Sequence, residues 1–470
     1  MEAHRVVLYK KVKEELDQYG PGMCLAKWSQ TTIHLGTGHT HSCHHPGTHK
    51  IPVEEIAIDA SALHNTSYKK EKRKEMMNGF RPTECQYCWN VEDKTNSNNN
   101  DFYSDRVYKS AEPWSRALRS KIEEVSWEKN INPSYLEISF NSTCNFKCSY
   151  CSPEISSKWM EEIVAFGPYP TSTNFNSLDH INKSNFNKMP IPEREDNPYV
   201  DAFWKWWPEL YPTLHTFRIT GGEPLLTKHT FRVLDYIIAN PNTKLELAIN
   251  SNLVIPDALF KEFIEKIKII LSQRLVKGFM LFTSCEAHGG QAEYIRHGMD
   301  YKKWLENLYE FSRECPTATV GAMCTYNALS VVSFEDFLKD MLELKKFRRS
   351  IDIPHYKFII DIPYLRNPMH QSIKILTPDF LPYVESQVKF IEDNLIDYAS
   401  RELLGFENSE LERMKRVYSL FKSYIENQEN VDQERKDFYS FVNEHDKRRN
   451  TNFLETFPEF KNFYNFCSMS

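Results

Sequence analysis

The run Tyr135-Leu-Glu-Ile-Ser-Phe140, followed after three residues by Cys144-Asn-Phe-Lys-Cys148-Ser-Tyr-Cys151, decides how this chain is read. The first part is apolar and reads as a β-strand. The second is a CxxxCxxC loop just beyond the end of that strand. Three thiolates on one short loop can hold three corners of a cubane iron–sulfur cluster and leave the fourth iron open. A structural zinc knuckle is the competing reading, and it requires a fourth ligand close by. A second strand-like run, His215–Thr220, ends in Gly221-Gly222-Glu223-Pro224. Two glycines let a backbone approach a ligand closely, and a carboxylate there suits an ammonium group. Gly-Gly-Glu-Pro is also ordinary turn chemistry.

Working outward, further β-type runs occur at Leu245–Ile249, Gly278–Thr283, Thr319–Thr325 and His355–Ile362. Helical patterns separate most of them, among them Thr230–Ile238 and Pro256–Ile267. Strands alternating with helical crossovers predict an α/β fold with a parallel sheet. Residues 165–200, rich in proline and asparagine, form an insertion read as a lid or as a surface loop. Residues 94–101, Lys94-Thr-Asn-Ser-Asn-Asn-Asn-Asp101, read as a linker. The helical run Phe203-Trp-Lys-Trp-Trp207 has the spacing of a core face, with base or sugar stacking as its alternative. Residues 376–470 carry long amphipathic patterns such as Leu411–Tyr424. The chain has 470 residues and a net charge of -6, so no polyanionic partner is advertised. The N-terminus has no secretory h-region, and no stretch has the length and apolarity of a membrane span. With 11 cysteines read as ligands rather than disulfides, the expectation is a cytoplasmic protein.

The cysteine loop and the glycine segment together resemble the radical S-adenosylmethionine (radical SAM) superfamily. The resemblance implies a partial (β/α)6 TIM-like barrel over residues 135–375, with both motifs at the carboxyl ends of strands. It implies that Cys144, Cys148 and Cys151 hold a 4Fe-4S cluster whose open iron binds S-adenosylmethionine. The backbone of Tyr150 would then lie against the adenine, and Gly221, Gly222 and Glu223 would take the amino group. Ser284-Cys285-Glu286 is similar to the family's Ser-x-Asp ribose element, with Glu286 where aspartate is commoner. Asn250 is a further ribose candidate, and Arg296 is the candidate for the methionine carboxylate. Cys285 and Cys324 are candidates for exchanging a proton or hydrogen atom with substrate; their bland reading, shared with Cys315 and Cys467, is that of small buried residues.

Four more cysteines stand in front. Cys24, Gly38, Cys43 and the pair Cys85-Gln-Tyr-Cys88 follow the C-x(9–15)-G-x4-C, gap, CxxC order. That order resembles the twitch domain, the shorter relative of the SPASM domain, although such domains normally follow the barrel. The resemblance implies that residues 1–93 form a small cysteine-rich domain binding a second, auxiliary 4Fe-4S cluster, with residues 94–134 as linker and lead-in helix. A four-cysteine zinc site is the alternative. His39, His41, His44, His45 and His49 crowd around Cys43 and read as ligands, solvated groups or a lining of the substrate path.

The implied activity is reductive cleavage of S-adenosylmethionine to a 5'-deoxyadenosyl radical that takes a hydrogen from substrate. Such an enzyme needs an external electron donor of the flavodoxin or ferredoxin kind. The twitch resemblance favours a peptide or protein side chain as substrate. A sugar-like or nucleotide metabolite, or a nucleic acid, is the alternative. A non-catalytic iron–sulfur or zinc protein is the reading of another class, and the Gly221–Pro224 segment speaks against it.

Overall fold

The computed structural model describes residues 2–98, 103–182, 187–192, 194–351, 358–399, 404–427 and 430–469. Among them the strands are β1 (Gln30–His34), β2 (His39–His41), β3 (His49–Lys50), β4 (Tyr135–Ser139), β5 (Lys147–Cys148), β6 (Thr216–Thr220), β7 (Asn242–Ser251), β8 (Val276–Ser284), β9 (Arg296–His297), β10 (Thr319–Met323) and β11 (Phe358–Asp361). Each of the six β-type runs coincides with a strand. The last begins at Phe358, since residues 352–357 lie outside the described part. The chain is α/β and divides into two compact units.

The first unit comprises Met1–Asn141, Asn182–Gly221 and Asn242–Ala248. Strand β4 runs parallel to β6 on one side and to β1 on the other, with Ile138 opposite both Ile219 and Ile33. Leu136, Ile138, Phe217 and Ile219 are fully buried, while Tyr135, Glu137, Thr216 and Arg218 between them are half-buried, the period-two pattern of a sheet packed on one face. The chain returns from β1 through antiparallel β2 and β3.

Strand β1, within residues 1–93, is thus a neighbour of β4 in the same unit. Strand β1 carries Gln30-Thr-Thr before its one aliphatic residue, so its hydropathy does not announce a core strand, yet Gln30–Ile33 are fully buried beside β4. Residues 94–98, expected in a linker, continue the helix Gln86–Asn98, and residues 99–102 are outside the described part. Phe203, Trp206 and Trp207 are buried on the helix Pro198–Leu210, as a core face requires.

The second unit comprises Ser142–Ile181, Gly222–Pro241 and Ile249–Ser470. Strands β8, β10 and β11 are parallel neighbours. The helix Tyr301–Glu314 lies between β8 and β10 in the chain, and Phe334–Ser350 between β10 and β11. Parallel strands need such crossovers. The C-terminal helices Asn408–Asn427 and Asp432–Arg449 bury one face each, through Leu411, Met414, Val417 and Phe421 and through Phe438, Phe441, Val442 and His445. The expected insertion at 165–200 is divided. Up to Ile181 it belongs to this unit, where Tyr169 is buried and stacks on Phe441. From Asn182 it belongs to the first unit, where Ile191 N–H donates to Gly36 O at 2.7 Å. Residues 183–186 and 193 lie outside the described part. Among the described residues no helix is long and apolar enough to cross a membrane.

Candidate functional site

The CxxxCxxC loop belongs wholly to the second unit, and its backbone is held at almost every carbonyl. Ser157 Oγ donates to Cys144 O at 3.2 Å, Ser156 Oγ to Phe146 O at 2.8 Å and Arg449 Nη1 to Lys147 O at 2.7 Å. Trp159 Nε1 donates to Cys148 O at 2.8 Å, Gln371 Nε2 to Ser149 O at 3.0 Å and Asn176 Nδ2 to Cys151 O at 2.9 Å. Loops normally satisfy such groups with water. Here side chains from distant parts of the unit replace it, so the three cysteines are carried on a fixed frame.

Behind the loop lies a buried ionic cluster. Glu162, on the helix Ser157–Phe166, accepts from Arg449 Nε at 3.1 Å, from Lys147 Nζ at 2.6 Å and from Tyr169 OH at 2.6 Å. The Arg449 guanidinium also lies 4.7 Å from the centre of the Trp159 ring. Burial would raise the Glu162 pKa, but Arg449 outweighs it, helped by the bonds from Lys147 and Tyr169, and holds it at about 2. No local pattern marks Glu162 and Arg449 as site residues, since nothing in one sequence connects positions 287 residues apart.

Two neighbours fix the loop from the other side. Glu223 N–H donates to Thr143 O at 2.7 Å, and a Cβ on Gly222 would stand 2.3 Å from the same oxygen. A Cβ on Gly221, at φ +123°, would stand 2.5 Å from Ser139 Oγ. The glycines therefore serve close backbone approach, as expected, but the partner seen is the chain leading to the cysteines. Glu223 has partners for its carboxylate within the protein. It is 1% exposed, and its carboxylate accepts from Leu225 N–H at 3.0 Å, Ser251 Oγ at 2.8 Å and Asn252 N–H at 2.6 Å. Burial pushes its pKa up to about 7 against these bonds. Gly222→Ala is expected to destabilise the protein by about 1–3 kcal/mol, as overpacking does, and to lower iron retention at the loop. Chemical unfolding and iron analysis of the reconstituted variant check both.

Tyr150, Glu286 and Arg296 meet in one buried group. Arg296 Nη2 donates to Glu286 Oε2 at 2.5 Å and to Tyr150 OH at 2.6 Å, and Nε donates to both Glu286 oxygens at 3.1 Å. Tyr150 OH donates to Glu286 Oε1 at 3.1 Å. Glu286 and Arg296 thus form a mutual pair, in which two buried opposite charges satisfy each other. Arg296 Nη1 approaches Cys148 Sγ at 3.6 Å. Ser284 ends β8, half-buried, and Asn250 lies one residue before the end of β7.

Cys285 and Cys324 are fully buried. Cys285 Sγ is bonded to Ala287 O at 3.2 Å, and burial raises its pKa to about 12. Burial likewise raises the Cys324 thiol well above its ordinary value. Both thiols are thus enclosed in the core. A cavity of about 430 Å³ opens beside the loop, lined by Tyr150, Cys151, Phe175, Met369, His370 and Glu434 among others. Neither Cys285 nor Cys324 lines it.

The front cysteines assemble in the first unit. Cys24 precedes the short helix Ala26–Ser29, Cys43 follows β2, and Cys85 and Cys88 lie at the start of the helix Gln86–Asn98. All four line one cavity, together with the basic Lys27, Arg106 and Lys109 and the acidic Asp105. Gly38 is required by its φ of +65° and by Tyr199, whose ring would meet a Cβ at 2.2 Å. Burial raises the pKa of Cys43 to about 11 and of Cys85 to about 12, and the thiols raise one another. Such thiols ionise only when a metal replaces the proton. The buried Lys27, paired with Glu84, keeps its charge against desolvation because Cys85 and Glu84 favour it. Four thiols with more positive than negative side chains around them fit an anionic metal–thiolate group.

Of the five histidines His44 is exposed, while His39 is buried and His41, His45 and His49 are half-buried. His39, His41 and His49 have pKa values lowered to about 4, 3 and 2, in each case first by burial. His39 Nδ1 is bonded to Thr37 O and His49 Nε2 to Thr66 Oγ1. His45 stacks on Tyr87 at 3.6 Å, bonds Asp105 at 2.7 Å, and alone of the five lines the thiol cavity. Among the described residues no three His, Cys, Asp or Glu side chains close on one point as ligands of a single ion.

Compared with known proteins, the chain matches no family model and no curated protein. Among solved structures it is similar to SuiB of Streptococcus suis bound to S-adenosylmethionine. That match has a TM-score of 0.33 and 14% identity, and it covers 69% of this chain and 64% of that one. The chain thus spans less than two thirds of that protein's length.

Proposed function

We propose that this protein is a radical SAM enzyme. The observation that carries the reading is the CxxxCxxC loop itself, a three-thiol loop held by side chains at its carbonyls, with a cavity of about 430 Å³ opening at Cys151. Cys144, Cys148 and Cys151 would hold a 4Fe-4S cluster, and the parallel strands with helical crossovers are of the kind a partial (β/α)6 barrel contains. When bound, the cluster supplies the electron for reductive cleavage of S-adenosylmethionine, which starts hydrogen abstraction from substrate. Arg449, Trp159, Gln371 and Asn176 hold the loop, and Gly222 and Glu223 support it from the other side.

Cys24, Cys43, Cys85 and Cys88 would hold an auxiliary 4Fe-4S cluster, supported by the common cavity and its basic surroundings. These four thiols would supply all the ligands of such a cluster, which would provide a route for an electron in the modification of a peptide or protein side chain. Anaerobic reconstitution is expected to give about eight iron atoms per chain, two clusters of four; about four iron with one zinc would exclude the auxiliary cluster. Cys85→Ser is expected to leave cleavage of S-adenosylmethionine measurable as released 5'-deoxyadenosine while losing about half of the iron. Equal loss of cleavage in Cys85→Ser and Cys148→Ala would show that the front site has no separate redox role.

A further inference from the structure

We propose that Arg296 acts on the loop cluster through Cys148, as a positioning residue that sets the reduction potential, rather than on a cofactor carboxylate. The proposal rests on the radical SAM reading and goes beyond it by assigning a determinant of the cluster's electron affinity.

The local backbone fixes the two residues together. Strands β5 and β9 form a two-residue antiparallel ladder in which Cys148 pairs with Arg296 and Lys147 with His297, and Ser149 N–H donates to Ile295 O at 2.7 Å. A Cβ on Gly298, at φ +106°, would stand 2.7 Å from Asn145 O, so the turn after Arg296 is also pressed onto the cysteine loop. Arg296 therefore cannot move independently of Cys148.

Its side chain is committed in the same direction. Three of the donor contacts go to Glu286 and one to Tyr150, which leaves Nη1 aimed at Cys148 Sγ, 3.6 Å away. Arg296 is 6% exposed and Glu286 1%. A buried guanidinium aimed at a ligand sulfur stabilises the extra negative charge of the reduced cluster, and hydrogen bonds to cluster sulfurs are an established determinant of potential. Glu286 orients the guanidinium fork and partly offsets its charge. Tyr150, two residues after Cys148, ties the pair back to the loop. A planar fork holding Glu286, Tyr150 and the sulfur at once is a task for arginine, not lysine.

The test is a potentiometric titration followed by electron paramagnetic resonance on anaerobically reconstituted full-length protein. The signal followed is the one that changes when S-adenosylmethionine is added, which separates the loop cluster from the front one. Arg296→Met alone would strand a buried carboxylate, so it is combined with Glu286→Gln; Arg296→Lys, which keeps Glu286 paired, is the second variant. The expected result is a more negative potential in the double variant and a smaller shift of the same sign in Arg296→Lys, with the dissociation constant for S-adenosylmethionine unchanged in Arg296→Lys. An unchanged potential with weakened cofactor binding would overturn the proposal and return Arg296 to the carboxylate role. Absence of any cofactor-responsive signal in the unaltered protein would overturn the radical SAM reading itself, a failure distinct from the first.

Discussion

Cys148→Ala is expected to abolish release of 5'-deoxyadenosine from S-adenosylmethionine and dithionite and to remove about four of the roughly eight iron atoms per chain. Cys148 is the middle ligand of the proposed cluster, it is paired through β5 with Arg296, and its carbonyl accepts from Trp159 and from Cys151 N–H at 2.9 Å. Alanine keeps that backbone and those bonds while deleting the sulfur. Loss of function in this variant is therefore loss of a ligand rather than of the fold. The four front thiols line their own cavity within the first unit and should keep their iron. Iron and sulfide analysis beside product chromatography checks the prediction, and full iron with normal product would contradict it.

Arg449→Met should be the most destructive change outside the cysteines. It leaves Glu162, 4% exposed, with Lys147 and Tyr169 but without the guanidinium that also holds Lys147 O. Removing one partner of a buried ion pair costs about 3–5 kcal/mol, and here the loss falls directly behind the cysteine loop. The variant is expected to unfold at lower denaturant and to bind about half of the normal iron. Adding Glu162→Gln should recover part of the stability, because the stranded charge is gone. The same pair gives a pH signature. The Glu162 carboxyl is held at about 2, below its ordinary 4.5. A depressed folded pKa contributes stability that is complete above about pH 4.5 and is lost as pH falls toward about 2. Urea unfolding of the iron-free protein across that window should show a steeper acid loss in the unaltered chain than in Glu162→Gln.

The legible parts of this protein were those written in local pattern. The β-type runs from Tyr135 onward, the helices between them and the two cysteine sets follow from period, spacing and composition, and the structure places strands on those runs and the four front thiols around one cavity. Strand β1 was not legible, because buried threonines satisfied by one another, as Thr31 and Thr40 are at 3.1 Å, carry no hydropathy signal. The loop's supports were not legible either. Gln371 and Asn176 act through single hydrogen bonds to backbone carbonyls, a role open to almost any polar residue, and Arg449 adds such a bond to a buried pairing with Glu162 that only the fold sets. Glu223, Glu286 and Arg296 were visible as chemically apt residues. Their partners were not, since a carboxylate read as waiting for a ligand can equally be satisfied by its own neighbours, as Ser251, Leu225 and Asn252 do for Glu223.

The central claim is that the loop at Cys144–Cys151 is a cofactor-cleaving site. Its most direct test is anaerobic reconstitution, reduction with dithionite and addition of S-adenosylmethionine, with 5'-deoxyadenosine and methionine quantified against time. The account predicts release of both, dependent on the reduced cluster. A cluster that is demonstrably reduced yet yields neither product would contradict it.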